Sequence, residues 1–347
     1  MCPVWGGEQI APYKGLEAFD RPIGECWELS GLAGYESIVS EGPDCGLTLR
    51  ELVAREGEKL VGKANYRRFG EEFPLLVKFI DARQDLSIQV HPNDRLARER
   101  HACSGKSELW YVVRAEEDAR LRIGFNRSVT PAEYEQAVEE HRIVELMSEY
   151  RIQEGDLFYL PAGRIHTIGA GTMVVEIQQP SNITYRIYDY GRPGTDGKPR
   201  ELHTELAREA IDYSYLPDYQ THYTPKMDEA VQLARNEHFT VTLFDLSRQQ
   251  ILDLEWLDSF VSVVCTEGEG TLIDDKGRTM TIHQGETVLV PAEAKCLHLI
   301  PQGEQLKLLT AWIDCKVHTK RRIKLVCWLN ANKANDESTS KSGEISG

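Results

Sequence analysis

The sequence predicts a mainly β chain built from two related β units, with helices as insertions, and three observations carry that prediction. Short apolar or alternating runs recur between Gly- and Pro-bearing turns, the pattern of a sandwich or barrel. Helical periodicity is confined to a few segments. A strand motif also occurs twice, Gly155 before DLFYLPA and Gly285 before ETVLVPA, with the same Gly-to-Pro spacing, so one β unit repeats.

The elements follow in chain order. PLLVKFI (74–80) is almost continuously apolar, as a strand buried on both faces requires. LSIQVH (86–91) alternates Leu86, Ile88 and Val90 with Ser87, Gln89 and His91 before Pro92 stops it. ELWYVV (108–113), RLRIGF (120–125), DLFYLP (156–161), TMVVEIQ (172–178) and ITYRIYD (183–189) continue the series. Helices are expected in NDRLARERHA, ELHTELAREAIDY and TPAEYEQAVEEH. In the last, Thr130, Pro131 and Glu133 form a capping-box signature. The expected organisation is a first β domain with helical insertions at 1–212, a Pro- and Tyr-rich linker at 213–237, a second β domain at 238–315, and a tail at 316–347. That tail begins basic and ends in low-complexity sequence without periodicity, which predicts disorder at its end.

Composition narrows the function classes. Forty Lys and Arg against 55 Asp and Glu give a net charge of −15, which argues against nucleic acid or an anionic membrane as main partner. No apolar run is long enough to span a bilayer, and MCPVWGGEQI lacks the basic-then-apolar start of a signal peptide. The eight cysteines include no C-x-x-C pair and read as reduced thiols of a cytoplasmic protein.

Chemistry concentrates in the first unit. Gln89 and His91 share one strand face, Glu108 opens a strand after the Gly-Lys turn of SGKS, and His166 ends the string GDLFYLPAGRIH. Alone, each has an ordinary explanation: a core imidazole, a strand-end charge, an amide bonded to its neighbour. Together they offer two imidazoles, a carboxylate and an amide oxygen. That set suits a divalent metal of borderline hardness, zinc first, with manganese, cobalt or iron compatible. No thiolate joins it, so open positions for water or substrate are expected. The spacing Gly155-x5-Pro161-x-Gly163-x2-His166 resembles the second signature motif of the cupins, which implies two jelly-roll-like cupin barrels here. The second copy keeps Gly285 and Pro291 but has Glu293 for Gly163, and its His298 falls two positions late, so that barrel is expected to lack metal ligands.

Further strings carry a closer resemblance. LLVKFIDARQDLSIQVHPND, GKSELWYVV, GDLFYLPAGRIHTIGAG and EIQQPSNITYRIYDYGR are similar to the type I mannose-6-phosphate isomerases in their short bacterial form, with WGG, IGECWELSG and GKPRELHTELA extending the match. The resemblance implies reversible conversion of mannose 6-phosphate to fructose 6-phosphate with one zinc per chain. It puts the metal ligands on Gln89, His91, Glu108 and His166, the catalytic arginine on Arg186, and further active-site positions on Lys106 and Glu176. Pro180 and Asn182 depart from the family's usual Thr and Asp.

The residue chemistry agrees with that activity. Aldose–ketose isomerisation moves a proton between neighbouring carbons through an enediolate, which a metal and a fixed cation would stabilise. Arg186 suits that charge and is a poor base; Thr184 and Tyr188 share its strand face. Lys106, Arg186 and Arg192 are the candidates for holding substrate, with Lys106 and Arg192 assigned to the phosphate. Glu176 or a hydroxide on the metal would carry the proton, and Glu176 equally suits the role of a carboxylate that orients a ligand. Two competitors are a non-catalytic sugar-phosphate sensor, which would not need an open metal site, and an iron or manganese cupin oxygenase, which would favour a third histidine where Gln89 stands. Homo-oligomerisation is left open.

Overall fold

The apolar runs pair into antiparallel ladders. A computed structural model of the chain describes residues 1–314 and the backbone of 325–326. The rest of the expected tail lies outside the described residues. The chain divides into two compact units, one of residues 1–55 and 71–222, the other of 56–70 and the chain from 223 on.

Ten strands build the first unit: β1 Glu25–Leu29, β2 Leu76–Ala82, β3 Ile88–Val90, β4 Glu108–Ala115, β5 Arg120–Phe125, β6 Met147–Arg151, β7 Leu157–Leu160, β8 His166–Ile168, β9 Thr172–Gln178 and β10 Tyr185–Tyr188. They form two five-stranded sheets, ordered β1-β2-β9-β4-β7 and β10-β3-β8-β5-β6. Trp110, Val112, Phe158 and Val174 of the first sheet pack against Leu121, Ile123 and Ile168 of the second, so the sheets face each other across one dry core. Hydrogen bonding does not join them into one cylinder; the expected barrel is a two-sheet, cupin-like sandwich.

The strongest periodic segments fold as read. β5 and β9 keep the bounds read from the sequence, and all of β9 is buried. The capping box forms around the helix Pro131–Glu139: the Thr130 hydroxyl accepts from the Glu133 amide, and the Glu133 side chain accepts from Thr130. Asn93 caps the helix Asp94–His101. Three helices at Leu49–Glu56, Glu58–Val61 and Lys63–Phe69, with strands β1 and β6, were not foreseen. Most of β1 is only half-buried and most of β6 is half-buried or exposed, so neither offers an apolar run to read. Nor is 213–237 a bare connector: Tyr219 is buried in the first core, and 230–235 is a strand.

The second unit follows the same plan with fused strands. Here β11 is Ala230–Arg235, β12 Thr240–Leu246, β13 Gln250–Asp253, β14 Val261–Asp274, β15 Thr279–His283, β16 Thr287–Val290, β17 Cys296–Trp312 and β18 Leu325–Val326. β14 and β17 run on where the first unit breaks its chain into β4–β5 and β8–β9, and their ladder is interrupted by bulges at Cys265/Glu267 and Gly268/Gly270. Apolar side chains from Phe244 to Trp312 fill its core.

Candidate metal centre

The site lies between the two sheets of the first unit. Gln89 of β3 is paired directly with His166 of β8 on one side and Arg186 of β10 on the other. Directly opposed residues of an antiparallel pair point to the same face, so these three form one row. Glu108, at the start of β4, comes from the opposite sheet. The turn after Pro161 is tied to both: Gly163 N–H donates to His91 O at 2.9 Å, and Ala162 N–H to the Ser107 hydroxyl at 3.1 Å. Gly163 holds φ +93°, and a Cβ there would lie 2.9 Å from Ala210 O, so the turn that aims His166 inward requires glycine.

His91, Glu108 and His166 are all buried, with ligand atoms within 4.8 Å of one another. His91 Nε2 is 3.4 Å from Glu108 Oε2, and His166 Nε2 is 3.3 Å from Oε1. Each ring is oriented through its other nitrogen. His91 Nδ1 lies 3.0 Å from Ile183 O and His166 Nδ1 2.8 Å from Arg164 O, so Nδ1 carries the proton and Nε2 presents its lone pair to the centre. Burial, then the Lys106 ammonium, pushes His91 down to about 4 despite the pull of Glu108. Burial lowers His166 as well, so both rings are neutral. Burial opposes ionisation of Glu108, but Lys106 and the two neighbouring imidazoles together outweigh it and hold the carboxyl well below the usual range. His91 Nε2 and Glu108 Oε1 are buried without a hydrogen-bond partner, and Glu108 Oε2 faces only the Lys106 ammonium and His91, a costly state that one shared cation relieves. The donor set fits a divalent metal. Gln89 is half-buried with its amide nitrogen 3.2 Å from His166 Nε2; a half-turn of the amide brings its oxygen to that position.

A cavity of about 330 Å³ opens beside this cluster, lined among others by Gln89, Lys106, Glu176 and Arg186. Lys106 Nζ is 2.9 Å from Glu108 Oε2 and 3.6 Å from Glu176 Oε1. Burial alone would lower its pKa, and the two carboxylates override that and raise it. Glu176 accepts from the Trp110 indole at 2.9 Å and faces a second ammonium, Lys78, at 3.3 Å. Arg186 Nη1 donates to Glu201 O, while its Nε is buried without a partner. Thr184 also lines the cavity; a register shift between Arg186 and Tyr188 leaves Tyr188 out of the wall.

Arg192 stands apart from the other candidates. It does not line the cavity: its Nε and Nη2 are spent on Asp189 Oδ1, at 3.0 and 2.8 Å. Arg200 and His203 line it instead, and sequence reasoning gave neither a role. Lys78 was missed too, though a lysine inside the fully buried PLLVKFI run was a readable signal.

Comparison with known proteins agrees on one family. The pattern of the phosphomannose isomerase type I catalytic domain matches residues 4–116, and that of the mannose-6-phosphate isomerase cupin domain matches 229–306. The chain is 34% identical to mannose-6-phosphate isomerase ManA of Bacillus subtilis across 83% of its own length and 89% of the relative's. It is 36% identical to the Streptococcus mutans mannose-6-phosphate isomerase over 60% of this chain and 64% of that one. The crystal structure of the Bacillus subtilis mannose 6-phosphate isomerase superposes with a TM-score of 0.76 at 28% identity, covering 90% of this chain and 99% of that one.

Proposed function

The chain belongs to the type I mannose-6-phosphate isomerases and has their isomerase activity, and from that premise we propose that His91, Glu108, His166 and Gln89 hold one zinc ion that the reaction requires. The single observation that carries the proposal is the convergence of two buried imidazoles and a buried carboxylate, with ligand atoms within 4.8 Å of one another. Nitrogen and oxygen donors without thiolate favour a catalytic over a structural zinc.

When bound, the ion polarises the sugar carbonyl and acidifies the proton on the neighbouring carbon. The chain's own residues do the rest. Lys106 donates to a sugar oxygen from the cavity floor. Arg186 brings a permanent charge with an unspent Nε–H to the oxygen that becomes negative in the enediolate. Glu176, held by the Trp110 indole between Lys78 and Lys106, orients both ammonium groups and lines the cavity as a carboxylate able to move the proton. No described helix is long and apolar enough to cross a membrane. The six described cysteines are all free, which supports a cytoplasmic location.

His166→Ala tests the assignment. Metal analysis of the purified variant should show the ion lost, and a coupled assay on mannose 6-phosphate should show turnover lost with it. A variant that keeps both its metal and its rate removes His166 from the site.

A further inference from the structure

Four segments deliver the groups of the site, and a hydrogen-bond network behind them ties those segments together. Segment 91–94 carries His91, 105–108 carries Lys106 and Glu108, 161–166 carries His166, and β9 carries Glu176. Strand phase separates front from back. Lys106 and Glu108 alternate with Ser107, and Glu176 and Gln178 with Gln179, so Ser107 and Gln179 turn away from the cavity and neither lines it. Both are nonetheless buried. The Gln179 amide bridges two segments: its Oε1 accepts from Ser107 N–H at 2.9 Å, and its Nε2 donates to Asp94 Oδ1 at 2.9 Å. A donor on one side and an acceptor on the other fix which way the amide points. The same Asp94 oxygen accepts from Gly105 N–H at 2.8 Å. Gln179 N–H donates to Ser107 O at 3.1 Å, and Lys106 N–H to Pro92 O at 3.1 Å. The Ser107 hydroxyl extends the network to Ala162 N–H, at the turn that leads to His166.

The network is placed to serve the site. Asp94 stands three residues after His91, Ser107 between Lys106 and Glu108, Ala162 four before His166, and Gln179 three after Glu176. The segments also cross closely. A Cβ on Gly105 would lie 2.5 Å from Asp94 N and 2.6 Å from Asn93 C, so only glycine lets 105 lie against 93–94. His91, Glu108 and His166 come from the end of β3, from β4 and from β8, so no single strand sets their spacing. A metal centre needs its ligands held within about 0.5 Å of the working geometry by what supports them. Buried, fully paired polar contacts give that rigidity.

We propose that Asp94, Ser107 and Gln179 are positioning residues that set the spacing of His91, Glu108 and His166 and the reach of Lys106, without touching ion or substrate. This rests on the metal reading of the cluster. The experiment compares Gln179→Leu, Asp94→Ala and Asp94→Asn in the intact chain. It reads the zinc dissociation constant by competition with a chromophoric chelator, kcat and KM for mannose 6-phosphate, and melting of the metal-free protein. Gln179→Leu and Asp94→Ala should each weaken zinc binding about tenfold or more and lower kcat about as much, with KM moving less than about threefold. Asp94→Asn keeps the oxygen that accepts from Gly105 and Gln179, so its zinc affinity should stay within about threefold of the parent. The double variant Asp94→Ala with Gln179→Leu should lose little more than either single one, because both break the same network. A network that only supports the fold gives another pattern: a lower melting temperature with zinc affinity and kcat at parent values. That result overturns the proposal, as does an equal loss in Asp94→Asn and Asp94→Ala. Should Gln179→Leu fail to fold, the two variants at half-buried Asp94 decide the matter alone. A parent that binds no zinc would sink the metal reading and this inference with it, whereas a zinc-binding parent matched by Asp94→Ala sinks this inference only.

Discussion

Gly155 and Gly285 hold φ angles of 87° and 86°, each two residues ahead of a four-residue strand that ends next to a proline. From there the two copies stay in step. β7 pairs with β4 so that Leu160 faces Glu108, and β16 pairs with β14 so that Val290 faces Val261. Eleven residues after each glycine a new strand begins, with His166 in the first unit and Cys296 in the second. On the sheet behind, Glu176 opposes Lys78, whereas the matching pair in the second unit is Thr310 and Thr242. The backbone plan survives the loss of every charged partner. A few substitutions at fixed register separate a metal centre from a plain core, because turns and apolar alternation specify the fold while the site is an addition to it.

The most drastic way to break the contrast is to give the first unit the second unit's residue. Glu108→Val should lose the metal and lower turnover by roughly 10³-fold or more, the scale of deleting a central electrostatic stabiliser. Metal analysis beside a coupled mannose 6-phosphate assay reads both. Arg186→Ala sharpens it from the other side. The ligand cluster is untouched, so metal content should hold while turnover falls roughly a hundredfold; an unaltered rate would take Arg186 out of the chemistry.

Gly163→Ala probes the turn itself. The second unit tolerates Glu293 here, but a side chain at Gly163 meets Ala210 O at φ +93°. The cost should be about 1–3 kcal/mol, seen as a lower melting temperature.

The smallest effect belongs to an insertion that only the first unit has. Residues 126–146, with the helix Pro131–Glu139, stand where the second unit turns from β14 to β15 through 275–278. Thr130→Ala should cost about 1 kcal/mol and leave the rate constants alone. Glu133 is brought down to about 2 by the Thr130 amide and hydroxyl and by Arg127. Its depressed folded pKa makes its contribution present above about 4.5 and lost as pH falls toward 2. Melting curves of Glu133→Gln and parent should therefore converge on acidification across that window.

Legibility followed the range of the forces involved. Period-2 burial and the capping box are local, so β5, β9 and the helix at 131–139 could be read directly. His91, Glu108 and His166 could be read because strand phase and the Gly-Pro turn fix their direction. Arg200 could not. Its place depends on a turn through 190–199 that carries the chain back along β10, and on Asp189 choosing how to divide its oxygens between two arginines. Arg192 was named for its guanidinium fork, and the fold turns that fork onto Asp189 while Arg200 lines the cavity. β1 was hidden for a different reason: its partly buried face shows no alternation, and Trp27 serves Lys78 by a cation–π contact at 4.5 Å rather than the core.

Stoichiometric zinc titration of chelator-stripped protein, with mannose 6-phosphate turnover followed at each addition, tests the central claim most directly. The account predicts no turnover without metal and full recovery at about one zinc per chain. Undiminished turnover in protein shown to be metal-free would contradict it.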